Sequence, residues 1–541
     1  MIDKLHKHLI IIFKYMDSNQ LYKITSTAVS VGGSVDSGKS SIIGVLMSGV
    51  LDNGDGSARK LVAKHKHEHE SGRTSDISTR ICDIEESNKA VTLIDLCGHE
   101  DYFKTTTFGV SGHFPDYAFL IVSPHTGIRP MTKQHLRLFL SLSIPILIVV
   151  THIDSAPESV YENTIEEIKK VCAVFGSKAA NPICVNDLSQ CATCTGNIND
   201  IDSMNSDEKE IKSAAVRVIA ESLTGITDGK QTTFPILSVS NKTGFFIDVL
   251  KKVLGQLTDR QFWLPGGEKE INNNKVIKMF KICLERQKRG LSSILPQYKE
   301  FDGGIFYVDS VYDVKGIGMV VTGINRGKSI ETGLQSYMYL GPFGKEFKKI
   351  RVKSLHNNNR QIAPVLENHH RGCINFALVD KGEVKKNSIT KGTVLLSSLD
   401  LTRNICYRFK AVITIFTNSN TSLTLKTGYS PVIHLHTIRQ TARATIDPSE
   451  NGGRDVIEFS GKNAIVVIAT FKFKQHPEFI EPLSRFLLRS GSIQGVGLVI
   501  GTIPIENDPD AHPDMQKSSN RFRRKTRNYS KHKQSAKPSA K

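Results

Sequence analysis

The eight residues Gly33-Ser34-Val35-Asp36-Ser37-Gly38-Lys39-Ser40 limit what this chain can fold into more than any other segment. They fit G-x-x-x-x-G-K-[ST] with the apolar run Ala28 to Val31 before them and the helix-like Ile42 to Met47 after. A glycine-rich loop between a buried strand and a helix start turns its backbone N–H groups toward one point, where they can wrap a β-phosphate. Lys39 can neutralise the terminal phosphates, the Ser40 hydroxyl can ligate Mg²⁺, and Ser41 extends the phosphate-binding edge. The segment therefore predicts an α/β domain that binds a nucleoside triphosphate.

The flanking pattern agrees. Val91 to Leu96, Tyr117 to Val122, Pro145 to Val150 and Pro235 to Val239 read as buried strands, and Met131 to Leu142 and Tyr161 to Val174 have helical spacing of apolar residues. Strands alternating with helices make a mostly parallel sheet. After Phe262 to Asn274, with Pro265, Gly266, Gly267 and three consecutive Asn, short alternating runs take over, such as Gly304 to Val311, Met319 to Thr322 and Ile465 to Phe473. These predict two all-β barrel domains. The expected division is an N-terminal extension (1–24), a P-loop domain (25–262) with a Cys- and Asn-rich insertion near 182–207, a linker (263–275), barrels at 276–398 and 402–505, and a disordered basic tail (506–541).

Two further groups narrow the nucleotide. Asp95 closes the run Val91 to Leu96 and is followed by Cys97-Gly98-His99. A carboxylate there can hold the Mg²⁺ shell through water, and the Gly98 amide can approach a γ-phosphate with no Cβ in the way. Thr151-His152-Ile153-Asp154 ends the strand Pro145 to Val150, where the Asp154 carboxylate can accept two hydrogen bonds from a guanine edge. Together these groups point to GTP rather than ATP.

At 541 residues, of which 39 % are apolar, the chain is long enough for several folded units and excludes wholesale disorder. Its longest N-terminal apolar run, Leu9 to Phe13, is too short for a signal core or a span of roughly 20 residues. A cytoplasmic protein with no membrane partner is expected, its nine Cys reduced. The net charge of +18 is concentrated at the end, where Lys517 to Lys541 carries ten Lys/Arg and no acid. Such a block suits a phosphate polymer, or serves solubility or localisation.

The phosphate loop and Asp95-Leu96-Cys97-Gly98-His99-Glu100-Asp101-Tyr102 resemble the translational GTPases of the elongation factor Tu/1-alpha type. Leu51-Asp52-Asn53-Gly54, His65-Lys66-His67-Glu68 and Glu70-Ser71-Gly72-Arg73-Thr74-Ser75 are similar to the branch called GTP-binding proteins 1 and 2. Gly316-Ile317-Gly318-Met319-Val320-Val321-Thr322-Gly323, Gly428-Tyr429-Ser430-Pro431, Arg485-Phe486 and Gly495-Val496-Gly497 extend the resemblance through both β domains, to about residue 503. It implies a GTPase that acts as a monomer with tRNA and the ribosome, in elongation or ribosome rescue. It also implies that His99 orients the attacking water, that Thr74 (or Thr79) completes the Mg²⁺ shell, that the chain from Ser48 to Ser75 is a nucleotide-sensing switch, and that Lys104 stands near a tRNA end.

The sequence departs from that family at three places. Asn-Lys-x-Asp is replaced by Thr151-His152-Ile153-Asp154, which predicts loss of an amide brace on the phosphate loop and gain of a ring that can stack on the base. Arg73 occupies an apolar position of the family. Only Ser240 of Ser238-Val239-Ser240-Asn241 matches the last guanine loop cleanly, with Asn241 beside it as a guanine-site candidate. Cys172, Cys184, Cys191 and Cys194 offer a Zn²⁺ site without the paired tight spacing such sites use, and the alternation His65, His67, His69 reads as a solvated switch segment. Alternative readings are a low-turnover GTP-binding regulator associated with RNA, with decay or nucleotide-exchange partners, and a GTPase subunit coupled to nucleotide-sulfate chemistry.

Overall fold

The computed structural model describes residues 27–63, 76–175, 181–184, 208–224, 233–258 and, with short breaks, 303–508. They fall into two compact units, one containing nearly all of the α/β domain and the other most of the β domains.

The first unit is built on a seven-stranded sheet. Its strands are β1 (Ala28–Gly33), β2 (Ser78–Ile84), β3 (Lys89–Asp95), β4 (Tyr117–Val122), β5 (Ile146–Val150), β6 (Asn181–Cys184) and β7 (Thr233–Ser238), in the order β2-β3-β1-β4-β5-β7-β6. All pairings are parallel except β2 with β3. The central strands are near-continuous apolar runs because helices cover both faces, the usual reason for such runs in a parallel sheet. The helices are α1 (Lys39–Ser48), α2 (Ser57–Lys60), α3 (Phe103–His113), α4 (Pro130–Ser141), α5 (Glu158–Phe175), α6 (Glu208–Thr224) and α7 (Ile247–Gln256). Pro130 opens α4 at a position where its missing N–H costs nothing, and Met131, Thr132, His135, Leu136 and Phe139 form the buried stripe.

Register decides where the motifs go. Val31 is level with Asp95 and with Phe119, Val122 with Val150, and Val150 with Ser238. The residues just beyond these strand ends, Ser34 onward, Leu96 onward, Thr151 onward and Val239 onward, therefore meet along one carboxyl edge, the place where open α/β sheets bind ligands.

Two strands escape sequence reading. Ser78–Ile84 is an antiparallel edge strand whose middle is only half-buried, so its pattern is mixed. The polar stretch read as irregular from Pro182 begins later, since Asn181–Cys184 pairs in parallel with β7. The remainder of that stretch lies outside the described residues, as do His65, His67, His69, Arg73, Thr74 and Lys517 to Lys541.

The second unit holds the two expected barrels, each closed by six antiparallel strands. In the first, β8 (Gly304–Val314), β9 (Gly318–Gly327), β10 (Tyr337–Phe343), β11 (Glu346–Asn357), β12 (Arg371–Leu378) and β13 (Val394–Leu396) run in the order β10-β13-β8-β9-β12-β11, and β11 pairs back with β10. In the second, β14 (Ile405–Phe416), β15 (Val432–Leu435), β16 (Ile438–Ile446), β17 (Val466–Phe473), β18 (Arg485–Ser490) and β19 (Ile493–Pro504) run β17-β16-β15-β18-β19-β14, closed by β14 with β17. Its core is a nest of Phe409, Phe471, Phe473 and Phe486, with the Phe409 ring centroid 5.3 to 5.5 Å from the other three. No helix among the described residues is long and apolar enough to cross a membrane.

Candidate functional site

A cavity of about 550 Å³ opens at the carboxyl edge of the sheet, a size typical of small-molecule sites. Val35, Asp36, Gly38, Lys39, Ser40, Ser41, Gly98, His99, His152, Asp154 and Asn241 all line it, so residues from four separate sequence motifs converge.

At one end lies the phosphate loop. Gly38 caps α1 at φ 86°, a left-handed conformation that side-chain-bearing residues avoid. Lys39 is buried, its Nζ donating to the Ser34 carbonyl at 2.5 Å, and burial holds its ammonium below the usual lysine range against the pull of Asp95 and Asp36. A Cβ placed on Gly98 would stand 2.6 Å from that Nζ and 2.9 Å from the Val35 nitrogen, so this turn closes on the phosphate loop only as glycine. The Ser40 hydroxyl donates to Asp95 Oδ2 at 2.7 Å. These two oxygens are hard donors side by side, the set that Mg²⁺ takes when it keeps several waters and one or two protein contacts. The residues present thus fit the ion: Ser40 and Asp95 would hold it, and it would supply charge neutralisation on the phosphates.

At the other end, Ser240 Oγ donates to Asp154 Oδ1 at 2.7 Å, which fixes the carboxylate and leaves lone pairs for a ligand. The Asn241 side chain is buried and lines the cavity, and among the described residues neither its Nδ2 nor its Oδ1 is paired. Lys242 lines the cavity too. The S-x-K spacing of Ser240-Asn241-Lys242 thus brings Lys242 to the cavity beside the two residues expected there.

The expectation about Thr151 is corrected. Its hydroxyl donates to the Ser37 carbonyl at 2.8 Å, so the phosphate loop keeps a brace from this strand end. With the hydroxyl proton so engaged, the 3.0 Å contact with His152 Nδ1 requires the imidazole N–H to donate to Thr151 Oγ1. The His152 ring lies against Gly38, with Cε1 3.0 Å from where a Cβ of residue 38 would be. Burial, then His125, hold it below the ordinary imidazole range.

A second brace was invisible in the sequence. His135 of α4 accepts the Gly33 N–H at Nδ1, 2.7 Å away. An imidazole can accept only when neutral, and burial, then the Lys39 charge, hold His135 down at about 3. His99 stands at the cavity rim with Nδ1 accepting the Asp101 N–H at 3.3 Å, an arrangement that leaves Nε2 for a water. Thr79 sits in β2 opposite Ile94 and does not line the cavity. Lys104 is exposed on α3. Cys172 is buried in α5 with its thiol pushed up to about 12 by desolvation, a poor start for a zinc thiolate. Among the described residues no group of three or more His, Cys, Asp or Glu could hold a metal. The other cysteines named for zinc have no described side chains.

Comparison with known proteins adds the lineage. Residues 25–260 match the elongation factor Tu GTP binding domain. GTP-binding protein 1 of Xenopus laevis is 30% identical over 521 residues, covering 90% of this chain and 66% of its own length. GTP-binding protein 2 of Homo sapiens is 29% identical over 510 residues, with 91% of this chain and 71% of its own covered. The chain thus spans about two thirds of the length of these relatives. A bacterial selenocysteine-specific elongation factor shares the fold at TM-score 0.53 and 18% identity, over 88% of this chain and 58% of that one. Residues 25–260 are an elongation factor Tu-type GTP-binding domain, and the chain belongs to the translation-factor-like GTPases.

Proposed function

We propose that this protein hydrolyses GTP as a timer while holding RNA at the ribosome, with tRNA as the expected class of cargo. Its nucleotide site has Lys39 for the phosphates, Ser40 and Asp95 for Mg²⁺, Asp154, Ser240 and Asn241 for guanine, and His99 for the attacking water. The observation that supports an RNA partner is a row of like charge across the second barrel. Arg443 of β16 is directly opposite Lys472 of β17, which is directly opposite Arg408 of β14. Like charges facing one another across strands destabilise a sheet. Asp508 lies 3.5 Å from Arg408 Nε, and burial, then Arg408, hold the Lys472 ammonium low. Exposed Arg439 lies on β16 four residues before Arg443, and exposed Lys474 follows the end of β17. A phosphate backbone laid across the row would neutralise it, and each neutralised phosphate releases a counterion.

Replacing Arg443 and Lys472 together by Gln is expected to weaken RNA binding and flatten its salt dependence by about 1.4 to 1.8 in log–log slope. An unchanged slope in a direct titration removes this surface from the proposal. His99→Ala tests the timer. GTP affinity is expected to stay nearly intact, because the ring is not needed to hold ground-state phosphates, while ribosome-stimulated hydrolysis falls at least about 100-fold. An equal loss of binding would mark His99 as structural.

A further inference from the structure

The wall of the cavity formed by residues 52–59 lies outside the phosphate loop, the turn after Asp95 and the guanine loops, within the stretch expected to act as the switch, yet it is built with care. Asn53 Oδ1 accepts the Asp55 N–H at 2.9 Å, and Ser57 Oγ donates to Asp52 Oδ1 at 3.1 Å, so the turn organises itself. It is anchored at both ends. The Asp52 N–H donates to the Asn241 carbonyl at 2.9 Å, tying the wall to the guanine end of the cavity. At the other end α2 presses on α1, where the Ala58 carbonyl lies 2.1 Å from where a Cβ on Gly44 would sit, so only glycine admits the contact. Arg59 is carried on this fixed backbone. Its guanidinium lies flat over Gly56, with Nε, Cζ and Nη2 each 3.5 Å from the position of an added Cβ there, and it lines the cavity. Among the described residues it has no hydrogen-bond or ion-pair partner. The nearby carboxylates are engaged elsewhere: Asp52 with Ser57, and Asp55 with Asn53.

We propose that Arg59 is a nucleotide-binding residue whose guanidinium holds the phosphate nearest the ribose, the α-phosphate shared by GDP and GTP. The inference rests on the reading of this cavity as a guanine-nucleotide site. Lys39, Gly98 and His99 occupy the end for the terminal phosphates, and the wall carrying Arg59 runs from the guanine loop at Asp52 to α1 at Ala58, which assigns the fork to the middle of the ligand. A planar guanidinium already fixed on a rigid segment suits two non-bridging phosphate oxygens and loses little freedom in binding them.

The test titrates fluorescent GDP and a non-hydrolysable GTP analogue into the full chain and its Arg59→Met and Arg59→Lys variants. Met keeps the length of the stem without charge, and Lys keeps the charge without the fork. Arg59→Met is expected to weaken both nucleotides by the same factor, about ten- to a hundredfold, the range of a lost charge-assisted contact. Arg59→Lys is expected to recover part of that loss, with the melting temperature of the nucleotide-free protein unchanged in both. Unaltered affinities, a loss confined to the GTP analogue, or equal losses in both variants with a lowered melting temperature would each overturn the proposal. Wild-type GDP binding in the same titration separates this outcome from failure of the site reading itself, which would appear as no binding in any chain.

Discussion

Lys39→Ala is expected to abolish measurable nucleotide binding and turnover. The ammonium is the one cation seated among Ser34, Gly98 and Asp95, and no neighbouring residue of the phosphate loop can replace it. One charge-assisted contact contributes roughly 1.5–3 kcal/mol, and Lys39 is placed for both the β- and γ-phosphates, so affinity falls at least about 100-fold. The fold itself is expected to survive. A buried ammonium is costly to desolvate, so its removal leaves the melting temperature of the nucleotide-free protein level or slightly raised. GTP turnover at the wild-type rate in this variant would remove the phosphate-loop assignment.

Asp154→Asn is expected to exchange one nucleotide for another. The Asp154 carboxylate accepts from Ser240 through Oδ1, and the remaining oxygen is free to accept from the N1 and N2 groups of guanine. An asparagine keeps the Ser240 contact through its carbonyl oxygen and turns an NH₂ toward the base. That repels the guanine donors and suits xanthine, which carries an oxygen where guanine has its amine. GTP affinity is expected to fall roughly 10³-fold and xanthosine triphosphate affinity to rise correspondingly, since a site built for a particular hydrogen bond strongly rejects a ligand that leaves it unpaired. Competition between the two nucleotides for one labelled probe measures this directly. Retained preference for GTP would dismiss Asp154 as the base reader.

Neither prediction depends on the described conformation alone, because Lys39 and Asp154 sit in contiguous motifs whose chemistry is local. A loop that must present several amides to one phosphate is encoded in eight consecutive residues, and a strand end that must offer a carboxylate needs only the strand before it. For the same reason the alternation of strands and helices before residue 262, and the change to short alternating runs after it, made the α/β domain and the two barrels readable. Apolar periodicity is set by which faces are covered. Where an element lies at a sheet edge, that signal fades, and β2 and β6 went unread.

What sequence by itself determined, then, is the type of domain: an elongation factor Tu-like GTP-binding domain, with its glycine-rich loop, Asp95 and Asp154 each at the end of a strand. What only tertiary structure decided is how those groups are held. Thr151 reaches Ser37 across 114 residues, and His135 reaches Gly33 across 102. The substitution at Thr151 looked like a loss because the brace it makes depends on a backbone carbonyl, which any residue supplies and no motif records. Arg59 and the row Arg443, Lys472 and Arg408 are similar cases. Their meaning comes from strand register and from which loop is bonded to which, and those follow from packing summed over the whole domain rather than from any local pattern.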